Sequence, residues 1–174
     1  MAERQCYAVD KFVIDRVEAE LVCGAVIDVL RPILRMVQID AISDFRSEMP
    51  AHVQQAEATL RRLGLGQRPP RGDPNMAIDV STGDVEWPAA ELYAPWSINV
   101  DLLGERESVL GTLHDCGLAV TAELTVNEAA ALRRRLEAVA PVTLLAELHA
   151  RRRAAKRQRR RRLLDLLLGR HGRS

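Results

Sequence analysis

The chain has 174 residues, 47% of them hydrophobic and 28% charged, a balance that is typical of a folded globular protein and excludes a disordered one. Its net charge of +1 conceals two opposite parts, because residues 151–174 carry +10 and the remaining residues carry −9. No apolar run is long enough to span a bilayer, and residues 1–11 lack a hydrophobic signal segment. We therefore expect a cytoplasmic protein whose three widely spaced cysteines are reduced thiols.

The N-terminal part is predicted to be a helical pair. Apolar residues three or four positions apart predict a first helix from Asp10 to about Ile39, kinked near Leu30 by Pro32. Residues 12–22 also fit a short β-hairpin, but their central Glu-Ala pair is poor turn chemistry, so a helix is preferred.

A second helix is predicted from Ser47 or Pro50 to Leu63, with Ser47 as a plausible N-cap and Gly64 as the C-cap. Residues 66–75 contain three prolines and two glycines, which predicts a linker.

The middle of the chain is predicted to be a small mixed α/β unit. Alternating apolar residues on both sides of the turn-forming residues 81–84 predict a β-hairpin over 76–87. Strands are also predicted at 96–102 and 118–124, and a helix closed by Gly117 is predicted at 105–116.

Two helices are predicted at the C-terminal end. Thr125 and Glu128 have the spacing of a capping box, which predicts a helix from there to about Ala138. Pro141 suits the first turn of a last helix, from Val142 to about Leu168. The two helices fit a helix-turn-helix loosely, although no glycine occupies the turn.

These elements predict an α+β fold with one acidic body, residues 1–150, and a basic arm, residues 151–174. Within the body we expect helices over 8–64, a linker over 65–75, the mixed α/β unit over 76–124 and a helix over 125–139. The basic arm is expected to continue the last helix outside the packed core, because burying so many unpaired guanidinium groups would exceed the stability of a small domain.

The basic arm is the feature that most favours a function. Nine of the twelve residues 151–162 are basic, and guanidinium groups bind phosphates in a bidentate manner while releasing condensed counterions. The sequence therefore predicts a non-enzymatic protein that associates with nucleic acid through sequence-independent phosphate contacts. The candidate contact residues are Arg151, Arg152, Arg153, Lys156, Arg157, Arg159, Arg160, Arg161 and Arg162.

The alternative is an assembly or adaptor protein. In that interpretation the basic arm recruits an acidic protein surface, or the leucine-rich residues Leu163–Leu168 drive formation of a homo-oligomer. Basic residues beside leucines also fit a helix on a membrane surface, but here the two kinds of residue are separated along the chain rather than between faces.

An enzyme is the third hypothesis, and no sequence motif supports it. His114, Asp115 and Cys116 resemble a nucleophile or ligand set, but the predicted helix C-terminus there would raise the pKa of the thiol. Asp101 and Glu105 are candidates for a carboxylate pair. The chain has no Walker sequence, no Gly-x-Ser-x-Gly and no Cys-x-x-Cys, so we assign no catalytic residue, metal or cofactor.

Overall fold

The computed structural model describes residues 3–11, 15–40, 46–64, 75–79 and 86–169, with the backbone alone at 75–77 and beyond residue 160. Seven strands are present in this part of the chain: β1 Gln5–Val9, β2 Met36–Asp40, β3 Asn75–Asp79, β4 Asn99–Leu103, β5 Val109–His114, β6 Ala119–Leu124 and β7 Val142–Leu144. Five α-helices accompany them: α1 Arg16–Leu30, α2 Ala51–Leu63, α3 Glu86–Tyr93, α4 Val126–Arg135 and α5 Leu145–Gly169. The predicted α+β class is confirmed.

The seven strands form one antiparallel sheet in the order β3-β2-β4-β5-β6-β1-β7. Strands from the beginning, middle and end of the chain therefore share the sheet, and the strands are not confined to the middle unit. Successive side chains of a strand point to opposite faces, and in this sheet the apolar side chains share one face. Residues in register across this face form a buried row: Val37, Leu102, Gly111, Ala122 and Tyr7.

Helices cover the apolar face. α1 packs on β5 and β6 and contacts α3 and α4, while α2 packs on α3 and β3. α1 turns one side inward, and its fully buried residues include Val22, Cys23, Ile27 and Leu30. The core therefore lies between the sheet and these four helices.

The predicted first helix is correct for its first half only. α1 begins after Asp15, whose carboxylate accepts the backbone N–H of Glu18 at 2.8 Å. It ends at Leu30, and Pro32 lies in a short 3₁₀ turn rather than in a kink. The second half is β2, in which Val37 and Ile39 alternate with half-buried polar residues. The spacing of the apolar residues in this second half is compatible with both a helix and a strand, and this caused the error.

The hairpin alternative for residues 12–22 is wrong over its described part, because α1 is helical from Arg16, while residues 12–14 lie outside the described residues. The predicted second helix is correct, with α2 beginning at Ala51 after Pro50 and ending at Leu63, where Gly64 is the C-cap as predicted. Its N-cap position is Pro50, not Ser47, and provides no side-chain cap. Of the predicted linker 66–75, all but Asn75 lies outside the described residues.

The middle of the chain differs most from its prediction. β3 is correct, but it pairs with β2, and the predicted return strand is replaced by α3 from Glu86. β4 and β6 match predicted strands. The helix predicted at 105–116 is wrong, since half of this segment, Val109–His114, is β5.

The C-terminal part combines a correct prediction with a correction. The capping box is confirmed, with Thr125 Oγ1 accepting from the Glu128 backbone and Glu128 accepting from the Thr125 backbone. The last helix begins at Leu145 rather than Val142, because Val142–Leu144 pairs with β1 as β7. A strand therefore separates α4 from α5, and the helix-turn-helix interpretation is wrong.

Candidate nucleic-acid interface

The basic arm continues α5 away from the sheet. The first turns of α5 contact β1 and β7, and Leu148 is buried there. Ala8, which lies in register on the face opposite the core, is buried as well, although neither residue belongs to the main core cluster. The start of α5 therefore covers the β1–β7 end of that face. From His149 to Arg160 every side chain is exposed.

One ion pair marks the place where the basic arm leaves the body. Nη2 of Arg151 donates to Oδ2 of Asp10 at 2.9 Å, and the Arg151 side chain remains 59% exposed. Asp10 directly follows β1. The first arginine of the arm is therefore attached to the body, while it keeps most of its surface in solvent.

The other cations of the arm are unpaired within the described part of the chain. These exposed residues are Arg152, Arg153, Lys156, Arg157, Arg159 and Arg160. Arg161 and Arg162 continue the helical backbone, and their side chains lie outside the described residues, as do those of Leu163–Leu168. The site thus brings together closely spaced positive charges that remain in contact with solvent and are free to bind an anion.

A shallow concavity of about 520 Å³ runs along one side of the arm. Its described lining consists of Ala150, Arg153, Ala154, Arg157 and Gln158. Small-molecule sites are mainly apolar and enclosed, whereas this lining is open, has two arginines among its five described residues and has no large apolar side chain. It favours an anionic partner over a neutral metabolite.

The remaining arginine cluster of the sequence belongs to the body. On α4, Arg133 donates from Nε to the Val142 carbonyl at 3.0 Å and lies over the Tyr7 ring. Arg135 forms an ion pair with Asp28 of α1. Two of the three consecutive arginines of α4 are thus used to hold the helix against its neighbours, and α4 does not have the free surface of a recognition helix.

The face of the sheet opposite the core is polar and carries acidic groups. Gln38, Asp101, Thr112 and Thr121 lie in register across four strands of this face. Since its carboxylates repel phosphate, and the row contains no aromatic side chain on which a base could stack, this face does not suit nucleic acid. The candidate contacts are therefore restricted to the basic arm.

The polar face does contain a carboxylate pair, although not the one that the sequence suggested. Asp101 accepts a hydrogen bond from Asn99 Nδ2 at 3.1 Å and lies near Asp40 on the neighbouring strand. Burial raises the pKa of Asp40, and the Asp101 carboxylate raises it further. Glu105 instead points away, 80% exposed, with Arg35 at 3.8 Å. Asp40 was missed because only pairing of distant strands places it beside Asp101.

His114, Asp115 and Cys116 end β5 and form a turn, so the argument from a helix C-terminus was wrong. Asp115 and Cys116 have φ values of 49° and 58°, followed by Gly117 at 83°. Burial raises the pKa of the Cys116 thiol, an effect that the Arg16 guanidinium opposes. Neighbouring Cys23 is fully buried, and its pKa is raised to about 12. Both thiols are protonated at neutral pH, which makes them poor nucleophiles.

The described residues lack two further features. They contain no group of three or more His, Cys, Asp or Glu side chains placed to hold a metal ion. None of their helices combines the length and the apolar character that crossing a membrane requires. Comparison with protein families, with curated proteins and with solved structures finds no match.

Proposed function

We propose that this protein binds nucleic acid through the phosphates, using the basic arm, and that it catalyses no reaction. The observation that carries the proposal is the exposure of every side chain from Arg151 to Arg160 on one continuous helix. A guanidinium or ammonium group without an anionic partner stays in solvent, and its side chain loses entropy only when it binds an anion. Phosphates are the anions that suit rows of such groups.

The negative charge of the body supports this role, because it leaves the basic arm as the part that attracts nucleic acid. It carries a net charge of −9, and its polar face bears carboxylates, so it repels a polyphosphate chain. Only the basic arm attracts one. Since no base-reading element accompanies the arm in the described structure, its contacts are expected to be independent of sequence.

Titrating a short DNA duplex with the protein at several salt concentrations tests the proposal. With about half of the arm charges engaged, the slope of log K against log salt should be roughly −4 to −6, because each neutralised phosphate contributes about −0.9. Changing Arg159, Arg160, Arg161 and Arg162 to Gln should flatten this slope by several units. The matched control changes the same four residues to Lys, which keeps the charge and should keep the slope. Undetectable binding at low salt, or unchanged binding by the Gln variant, would refute the proposal.

The second candidate function is that of an assembly or adaptor protein. The pair between Arg151 and Asp10 favours it, because it is an arm guanidinium that already binds a carboxylate. An acidic protein surface would extend this chemistry along the arm. A pull-down from native lysate, with and without nuclease, separates the two candidates, because a partner that nuclease does not release supports the adaptor. An excess of A260 over A280 in the purified protein that high salt removes supports nucleic acid.

A further inference from the structure

Two groups of unpaired cations lie on different sides of the basic arm. Arg153 and Arg157 line the concavity described above. The other four stand at positions i, i+4, i+7 and i+8, which places them within about 100° of the helix circumference. We call these exposed residues the outer stripe: Arg152, Lys156, Arg159 and Arg160. The outer stripe is about 12 Å long, and it is narrow enough for a broad anionic surface to contact all of it.

The polar face of the sheet is a surface of this charge. None of the seven described strands contains Lys or Arg. The strands contain four acidic residues, and their register and alternation place all four on the polar face: Asp40, Asp79, Asp101 and Glu123. Among the described elements, only the start of α5 packs on this face, at its β1–β7 end. The polar face therefore carries negative charge that no cation of its own strands balances.

Three of these carboxylates lie along one diagonal of the polar face. The described partners of Asp101 and Glu123 are neutral donors, the Asn99 amide and the Cys6 thiol. Asp40 adjoins Asp101, and burial together with this second carboxylate raises its pKa. Glu123 lies two strands from Asp101 and two positions further along, a separation of about 12 Å between backbone positions. The outer stripe matches this separation in length.

A contact within one copy shows that the arm and this side of the sheet suit each other. The start of α5 covers Ala8, and Arg151 binds Asp10, which lies two positions beyond Ala8. The rest of the arm does not turn back onto its own sheet, because α5 continues as one helix and every side chain from His149 to Arg160 is exposed. The outer stripe therefore meets a polar face only on a second copy of the chain.

We propose that the outer stripe of one copy binds the polar face of a second copy. This inference goes beyond the proposed binding of nucleic acid, since it needs none, and it names an acidic surface for the second candidate function. Each copy has one arm and one polar face, so two copies can make the same contact twice around a two-fold axis. Because the outer stripe also belongs to the candidate phosphate contacts, self-association and nucleic acid compete for it.

Sedimentation equilibrium of the nuclease-treated full chain tests the inference. At low salt the average mass should rise with protein concentration, and moderate salt should return it to the mass of one chain. The double variant Asp101→Asn with Glu123→Gln should weaken association about fivefold or more, as expected for two exposed ion pairs. The matched control is Glu20→Gln with Glu48→Gln, which removes two exposed charges from the helical side and should change association little. Association that is independent of salt, or equally weakened by both double variants, would overturn the inference.

An exchange of charges between two chains tests whether arm and face meet directly. One chain carries Asp101→Lys with Glu123→Lys, and the other carries Lys156→Glu with Arg160→Glu. Neither chain should associate with itself, whereas an equal mixture should, because both of its arm–face contacts then join opposite charges. Circular dichroism shows whether both chains are folded. If they are folded and the mixture stays monomeric, the inference is wrong; if the lysine chain does not fold, the Asn and Gln double variant decides.

Titration with a short DNA duplex separates this inference from the proposed function. The duplex should reduce self-association, because it occupies the outer stripe. A chain that binds the duplex but stays monomeric at low salt without it would overturn the inference and leave the proposed function standing. A chain that self-associates but does not bind the duplex would overturn the proposed function alone. Self-association that the bound duplex leaves unchanged would show that the arm does not bind the polar face.

Discussion

Asp10 and Arg151 lie 141 positions apart in the chain and form an ion pair of 2.9 Å at the point where α5 passes the end of β1. The Arg151 side chain is 59% exposed and the Asp10 side chain 22%, and a pair that keeps this much access to solvent contributes about 1 kcal/mol or less to stability. Burial of Leu148 one turn earlier therefore contributes more to holding α5 on the sheet than this pair does. The pair marks the point at which the basic arm leaves the body.

Deleting residues 151–174 should leave the body folded. The described core residues all precede Arg151, so the free energy of unfolding should change by about 1 kcal/mol or less, the contribution of the lost ion pair. Urea unfolding of both chains measures this. Leu148→Ala in the full chain is the comparison, and should cost about 2 kcal/mol or more. Aggregation of the truncated chain would show that Leu163–Leu168 cover an apolar surface.

Arg61→Met should be strongly destabilising, because Glu57 is a buried carboxylate that depends on it. Glu57 is 2% exposed, and its Oε1 lies 2.6 Å from Arg61 and 3.6 Å from Arg46. Removing one partner of a buried pair costs about 3 kcal/mol. The double variant Glu57→Leu with Arg61→Met should recover most of this loss, since no charge then stays buried.

The control for this pair is Arg35→Met. Its ion pair with Glu105 is exposed and 3.8 Å long, so the change should cost less than about 1 kcal/mol. Chemical denaturation of the four proteins completes the comparison. A double variant that is no more stable than Arg61→Met would mean that the buried Glu57 carboxylate does not depend on Arg61.

Stability should respond to pH with opposite signs at two carboxyl groups. The pKa of Asp40 is raised by burial and by Asp101, so the native state holds the proton more tightly. Its contribution is greatest below its ordinary value of 3.8, and is lost as the pH rises through the raised pKa. Asp40→Asn should therefore increase stability at pH 7. An Asn variant that is less stable at pH 7, measured by thermal melting, would contradict this assignment.

Glu128 should show the opposite dependence. Burial raises its pKa, but hydrogen bonds from Arg4 and Thr125 outweigh that effect and lower the pKa below its ordinary 4.5. Its contribution is present above pH 4.5, and is lost as the pH falls through the lowered pKa. Glu128→Gln should cost about 1 kcal/mol at pH 7 and progressively less in acid. Equal costs at pH 3 and pH 7 would exclude a role for the charge.

Gly117→Ala should destabilise the protein, whereas Gly24→Ala should stabilise it. A Cβ at Gly117 would lie 2.9 Å from Cys23 Sγ, and its φ of 83° disfavours any side chain, so we expect a cost above about 1 kcal/mol. Gly24 lies within α1 with no atom within 4 Å of its added Cβ. Alanine there should contribute about 0.5–1 kcal/mol through helix propensity. Paired thermal melts check both signs.

Local signals were enough to predict the elements whose structure is decided locally. The Thr125–Glu128 capping box is decided within four residues, and β6 alternates regularly. β5 lies within the segment that was predicted as a helix closed by Gly117. Gly111 was the contrary signal, since glycine disfavours a helix interior, and in the sheet an added Cβ there would lie only 3.2 Å from the side chains of Leu30 and Leu102.

The candidate site was predictable from composition, but its surroundings were not. A run of nine cations in twelve residues cannot be buried, and its exposed side chains at 151–160 follow from that. Pairing between strands that are far apart in the chain decides which carboxylates lie near the arm and near one another. Asp10 beside Arg151 and Asp40 beside Asp101 are two such results, and no local pattern encodes either.

The uneven charge of the chain has a consequence for crowding on a long polymer. If the arms engage a duplex, each bound copy holds a body of net charge −9 close to its neighbours. Bodies within a Debye length, about 8 Å at physiological salt, then repel one another, so neighbouring copies should resist close spacing. Saturation of a long duplex should consequently occur at fewer copies per length at low salt than at moderate salt, although each copy binds more weakly at moderate salt. The charge that keeps the body off the duplex would thereby also regulate how densely the duplex is occupied.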